Sequence, residues 1–152
     1  MFDIKTLSSN QRFVLNILVP SAYLFPLVVA YLGPKNFGFG FPALVYAGLS
    51  IGALGVLLWV AAMWTLGPSL AVLPGTDQLV TKGVYRVFRH PVYIGIVLTL
   101  SGLFVACGSL PCLVYVGVVV IPLNIFRARA EEKVLLEQLG SPYQQYRDST
   151  YF

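Results

Sequence analysis

Apolar residues along this chain gather in four long runs separated by short polar stretches. The runs extend from Phe13 to Leu32, from about Pro42 to Leu66, from about Pro91 to Cys107 and from about Leu110 to Phe126. They show neither the alternation of a half-buried strand nor the one-sided stripe of a soluble helix, so each is read as a helix apolar on all sides. A membrane-crossing helix needs about 20 such residues, with a range near 17 to 25. The first two runs meet this comfortably and the last two lie at its lower limit. Only Gly108 and Ser109 separate the third run from the fourth, which predicts a tight helical hairpin. Beyond Arg127, Leu135, Leu136 and Leu139 share one helical face with charges opposite, predicting an amphipathic helix that continues the fourth span along the membrane surface. Gly140 reads as its stop, with Pro142 just beyond.

Pro20, Pro26 and Pro122 fall inside the runs and are expected to kink them, which membrane helices tolerate when neighbours satisfy the freed carbonyls. The first run follows Lys5 and Arg12 as a signal peptide would. It is too long for one and has no convincing cleavage site, so it is read as a retained helix. Gly48, Gly52 and Gly55 in the second run, with Ala47 and Ala53, are a close-packing signal. The GPKNFGFGF stretch at 33–41 reads as a short turn with an aromatic anchor, and Pro74-Gly75 as a turn in the 67–90 connection.

Composition strengthens the picture. Of 152 residues, 57% are hydrophobic and 11% charged, against about 25% charged in a soluble domain. Four spans would place nine of the ten Lys and Arg residues on one side and Lys35 alone on the other, with all six acidic residues on the lysine- and arginine-rich side. By the positive-inside tendency both termini are expected in the cytoplasm, of a bacterial inner membrane or the endoplasmic reticulum. The fold expected is therefore all-α: one integral membrane domain, 1–152, of about four transmembrane helices plus a C-terminal amphipathic helix. Residues 1–66 form two generic spans, and 67–147 the part that carries chemistry. The net charge of +4 belongs to headgroups rather than nucleic acid, because the basic residues follow one membrane edge. With one histidine and two cysteines, Cys107 and Cys112, no metal site is expected, and the thiols are read as buried and free.

Two clusters could do chemistry. Arg89-His90-Pro91-x-Tyr93 stands where the long connection meets the third run. Pro91 suits the first helical position and holds His90 at the boundary, where free N–H groups and the helix dipole favour an anion and disfavour a protonated imidazole. The plainer reading is a basic collar at a helix start. The second cluster is Arg127 with Glu131-Glu132. Two adjacent carboxylates at the end of an apolar span need a cation. Arg127, Arg129 or Lys133 could provide it within the protein, or a ligand could.

Taken together, G83-x-Y85-R86-x-x-R89-H90-P91-x-Y93-x-G95, then R127-x-x-x-E131-E132-x-x-L135 and G140-x-x-Y143-x-x-Y146, resemble the isoprenylcysteine carboxyl methyltransferases. The related phospholipid N-methyltransferases share the double glutamate. The resemblance implies S-adenosylmethionine as cofactor and a lipophilic or lipid-modified substrate drawn from the bilayer, either a prenylcysteine carboxylate or a lipid amine. It implies a cofactor site lined by His90, Pro91, Tyr93, Tyr85 and the backbone near Lys82-Gly83. Glu132, with Glu131 beside it, would meet the cofactor's amino group, and Arg89 and Arg127 would orient an acidic substrate group. No catalytic base is assigned. Two rivals remain at this point: an NADPH-dependent membrane reductase of the sterol reductase type, which carries a similar His-Pro-x-Tyr, and a non-catalytic membrane protein on the same scaffold.

Overall fold

A computed structural model describes residues 19–32, 41–67 and 79–152. The N-terminal part of the first run, the 33–40 turn and Pro74-Gly75 lie outside these. The described residues form α1 (Val19–Leu32), α2 (Pro42–Leu66), a 3-10 turn (Gly83–Arg86), α3 (Pro91–Cys107), α4 (Leu110–Leu139) and α5 (Ser141–Ser149). No strand forms among them; one isolated bridge pairs Phe88 with Tyr151.

Two helices, α2 and α4, are long and apolar enough to cross a membrane. The described part of α1 and the 17 residues of α3 are shorter apolar helices. Most of α2 faces outward with large apolar side chains, among them Trp64, Leu57 and Tyr46. A surface of this kind is at home in lipid rather than water.

The helix boundaries have local causes. Pro42 and Pro91 open α2 and α3 as first-turn prolines, where their missing N–H groups would have lacked a partner anyway. Gly108, at φ 67°, ends α3: its N–H bonds to Val105 O and that of Ser109 to Phe104 O, the paired closure of a left-handed helix cap. This two-residue joint produces the hairpin that the sequence predicts. In α1, Pro26 removes the bond that would satisfy Ala22 O, and the Tyr115 hydroxyl supplies the replacement at 3.2 Å. The Cys112 thiol in turn reaches Pro26 O at 3.3 Å. Both cysteines are free, Cys112 buried and Cys107 half-buried.

The seam between α2 and α3 is backbone against backbone. A Cβ on Gly48 would lie 2.5 Å from Ala106 N, and one on Gly95 2.8 Å from Trp59 N, so neither position accepts a side chain without parting the helices. These pairings run α2 antiparallel to α3. They bring the Thr65 end of α2 beside the His90 end of α3, where Gly83 rests on Thr65.

α4 continues the fourth run into the tail as expected and departs from a regular helix at one turn. It runs unbroken from the hairpin through the double glutamate to Leu139, with a wide π turn at Val116–Val120 just before Pro122. Widening there absorbs the clash and lost hydrogen bond that proline imposes on the preceding turn. Its buried residues Cys112, Val116, Val120, Asn124 and Ala128 repeat every fourth position. On a regular helix such a row drifts about 40° per step, and the wide turn takes back on the order of one residue's rotation, about 100°. One face of α4 thus stays turned to the protein along its length. Gly140, at φ 59°, ends α4 as expected. Pro142 does not end the helical structure, however; it stands in the first turn of α5, the position that suits proline best.

Candidate functional site

The ends of α2, α3 and α4, the 3-10 turn and α5 meet at one end of the bundle. His90, the N-cap of α3, is 7% exposed and faces the double glutamate on α4. Its Nε2 lies 3.2 Å from Glu132 Oε1, and its Nδ1 3.7 Å from Glu131 Oε2. Arg89 Nε approaches Glu132 Oε1 to 3.1 Å, but its N–H is not aimed at that oxygen, so the contact is ionic rather than a formed hydrogen bond. One turn into α3, the Tyr93 hydroxyl donates to Glu131 Oε1. Arg127 stacks over the Tyr93 ring, 5.3 Å from its centre. Burial lowers the His90 pKa against the opposing pull of Glu131 and Glu132, so the imidazole is neutral near neutral pH. A proton on Nε2 would donate to Glu132 Oε1, the closer carboxylate.

The two glutamates therefore differ. Glu132 is held by Arg89 and His90. Glu131 has no Lys or Arg within ion-pair distance among the described residues; it accepts from Tyr93, faces neutral His90, and its side chain is 35% exposed. The pairing of Arg127 with Glu131 considered from sequence is not a contact pair. Arg127 acts on Glu131 only through space and spends its guanidinium on aromatic partners.

Of the residues singled out in the sequence, Arg89, His90, Tyr93, Arg127, Glu131 and Glu132 are brought together. Pro91 is buried beneath them, and Tyr85 is buried close enough to feel the Glu131 charge. The Lys82 side chain is exposed, and Gly83 meets Thr65 rather than the cluster.

Other members were given no role in the sequence reading, although Tyr143 and Tyr146 stood in its motif. Tyr143, buried on α5, lies near Glu132 and Arg89, and burial raises its pKa. The Tyr146 hydroxyl, its pKa pushed up to about 12 by burial, donates to Tyr85 O at 2.7 Å. Arg89 Nη1 donates to Arg147 O at 2.6 Å, and Arg89 N to Tyr151 O at 2.8 Å. The Tyr151 N–H returns to Val87 O, and the Phe152 ring lies 5.5 Å from His90. Residues after α5 thus form a strap along the Val87–Arg89 backbone. The repeated tyrosines Tyr143 and Tyr146 were the sequence signal for it. Tyr23 and Asn124, bonded to each other below Arg127, carried no such signal.

An all-helical, lipid-facing bundle that gathers carboxylates, a neutral histidine and arginines at one end defines a membrane protein with a polar site at its edge. The phospholipid methyltransferase family model matches residues 43–141, and the chain belongs to that family, a relative of the isoprenylcysteine carboxyl methyltransferases. Members of the family are methyltransferases, and the match leaves the reductase reading without support. Comparison with individual curated proteins and with solved structures gave no match.

Proposed function

We propose that this protein is a membrane methyltransferase that uses S-adenosylmethionine and acts on a lipophilic substrate reaching it from the bilayer. The observation that carries the reading is the convergence of Arg89-His90-x-x-Tyr93 with Glu131-Glu132, two segments about forty residues apart. The donor set suits the cofactor. Glu131, a carboxylate with no Lys or Arg within ion-pair distance among the described residues, is the natural partner of the cofactor's ammonium group. This gives Glu131 the part that the resemblance assigns first to Glu132.

When bound, S-adenosylmethionine supplies an activated methyl group and its own leaving group. The residues of the chain align the partners and keep water out. Arg89 fixes Glu132, and both fix the His90 ring. Tyr93 fixes Glu131 and carries Arg127 on its face, turned toward a substrate's acidic group. Pro91 and Tyr85 close the floor. Tyr146 holds the Tyr85 carbonyl, and the strap holds the Val87–Arg89 backbone.

Isothermal titration of the full chain in detergent with S-adenosylhomocysteine tests the proposal. Stoichiometric binding is expected, with no heat from NADPH. Absence of binding by a folded, monodisperse sample overturns it.

A further inference from the structure

Arg127 and Glu131 stand one turn apart on α4, the spacing at which opposite charges pair along a helix. Among the described residues they nevertheless form no ion pair. Two aromatic residues draw the guanidinium away. Tyr93 of α3 takes it on its ring face, 5.3 Å from the centre, and the Tyr23 hydroxyl of α1 meets it from the other side of the helix pair. That hydroxyl has a single proton, which it gives to Asn124 Oδ1 at 2.5 Å, one turn below Arg127 on the same helix. Its lone pairs are thereby left to accept from Arg127. A polar ladder results, from Asn124 through Tyr23, Arg127 and Tyr93 to Glu131.

Tyr23 reaches this place because α1 is pinned to α4 by bonds that leave its side chain free. The Tyr115 hydroxyl holds Ala22 O and the Cys112 thiol holds Pro26 O, so α1 keeps its register when the Tyr23 hydroxyl is removed. What changes then is local. Arg127 loses an acceptor, and the anion one turn up its own helix is Glu131. Around that carboxylate, Tyr93 and neutral His90 face it from α3, and Glu132 adjoins it on α4. Arg89 is taken by Glu132, which leaves Arg127 as the cation placed to quench Glu131.

We propose that Tyr23 is a positioning residue that holds Arg127 off Glu131 and so keeps that carboxylate open to the ammonium group of the cofactor. The inference rests on the methyltransferase reading, which gives Glu131 that part. Tyr23 precedes the residues matched by the family model, so α1 acts on the site from outside the match.

The test titrates the full chain in detergent with S-adenosylhomocysteine. Tyr23→Phe should weaken binding about tenfold, because an Arg127–Glu131 pair must open before the ammonium group is seated. In an Arg127→Gln background there is no cation to restrain, and the same exchange should alter affinity by less than about twofold. Asn124→Leu, which removes the acceptor that aims the hydroxyl, should weaken binding about threefold and decides the matter if Tyr23→Phe does not fold. An equal loss with and without Arg127 makes the role of Tyr23 merely structural and overturns the proposal, as does wild-type affinity in the folded variant. Thermal melts read the restraint without any cofactor. Tyr23→Phe lets a new ion pair form only where Glu131 is present, so it should lower the melting temperature by about 1–2 °C more in a Glu131→Gln background than in wild type. If wild type binds no S-adenosylhomocysteine, the methyltransferase reading fails and the melts alone decide: that difference leaves the restraint standing, and additive melts overturn it.

Discussion

Exchanging each glutamate for glutamine should separate a ligand-facing carboxylate from a fold-bearing one. Glu131→Gln preserves shape and an oxygen for the Tyr93 hydroxyl but removes a charge that no cation of the described chain neutralises. A unit charge pair about 4 Å apart is worth about 4 kcal/mol at an effective dielectric of 20. With the side chain 35% exposed, screening and desolvation reduce this to the net value of a charged hydrogen bond, about 2 kcal/mol. S-adenosylhomocysteine should therefore bind about thirtyfold more weakly, with melting nearly unchanged. Glu132→Gln instead leaves Arg89, 18% exposed, without its carboxylate. That partly buried charge loses about 2 kcal/mol of stabilisation, or about 4–8 °C of melting temperature for a chain of this size. Affinity should fall less than about fivefold. Calorimetry and thermal melts on the same detergent preparations read both effects. Abolished binding with unchanged melting in Glu132→Gln, together with wild-type binding in Glu131→Gln, would refute the division of roles.

Two further outcomes follow from the geometry. Because folding lowers the His90 pKa below its ordinary value, the unfolded chain binds the more protons around pH 6.5, and stability is lost as pH falls through and below that value; melting curves from pH 7.5 to 5 should show this slope in wild type and a reduced one in His90→Asn. A Cβ at Gly102 would collide with the Gly52 backbone and lie 2.5 Å from Gly48 O, so Gly102→Ala should cost about 1–3 kcal/mol, whereas Gly117→Ala, with nothing within 4 Å, should be neutral or stabilising by up to about 1 kcal/mol, both measured by thermal melts.

What the sequence disclosed follows the range of the forces involved. The bounds Pro42–Leu66 and Pro91–Cys107 were legible because proline at a helix start and glycine at its end act within a few residues. The glycines of α2 were legible as a contact face, but their partners Gly95 and Gly102 were not, because nothing local sets the register between two helices. The site residues came mainly from a motif. Which glutamate is neutralised within the fold depends on where Arg89 reaches, and that is settled by the carbonyls of Arg147 and Thr150 nearly sixty residues on. Pro142 looked like an end because the same residue that bars a helix interior also favours a first turn. Tyr23 and Asn124 stayed hidden because a lone amide and a lone phenol in apolar runs carry no spacing to read.

The wide turn at Val116–Val120 gives α4 one residue of slack. A π turn is the geometry of an α-helix that has taken in a single extra position without rotating what lies beyond it. Losing one residue there, Gly117 being the least encumbered, would let the helix close to regular pitch with Cys112 and Arg127 still facing their present neighbours. The same loss anywhere between Pro122 and Glu131 would swing part of that polar ladder by about 100° and aim it at lipid. Chain length in α4 is thus negotiable at one place only, and that place sits beneath the chemistry.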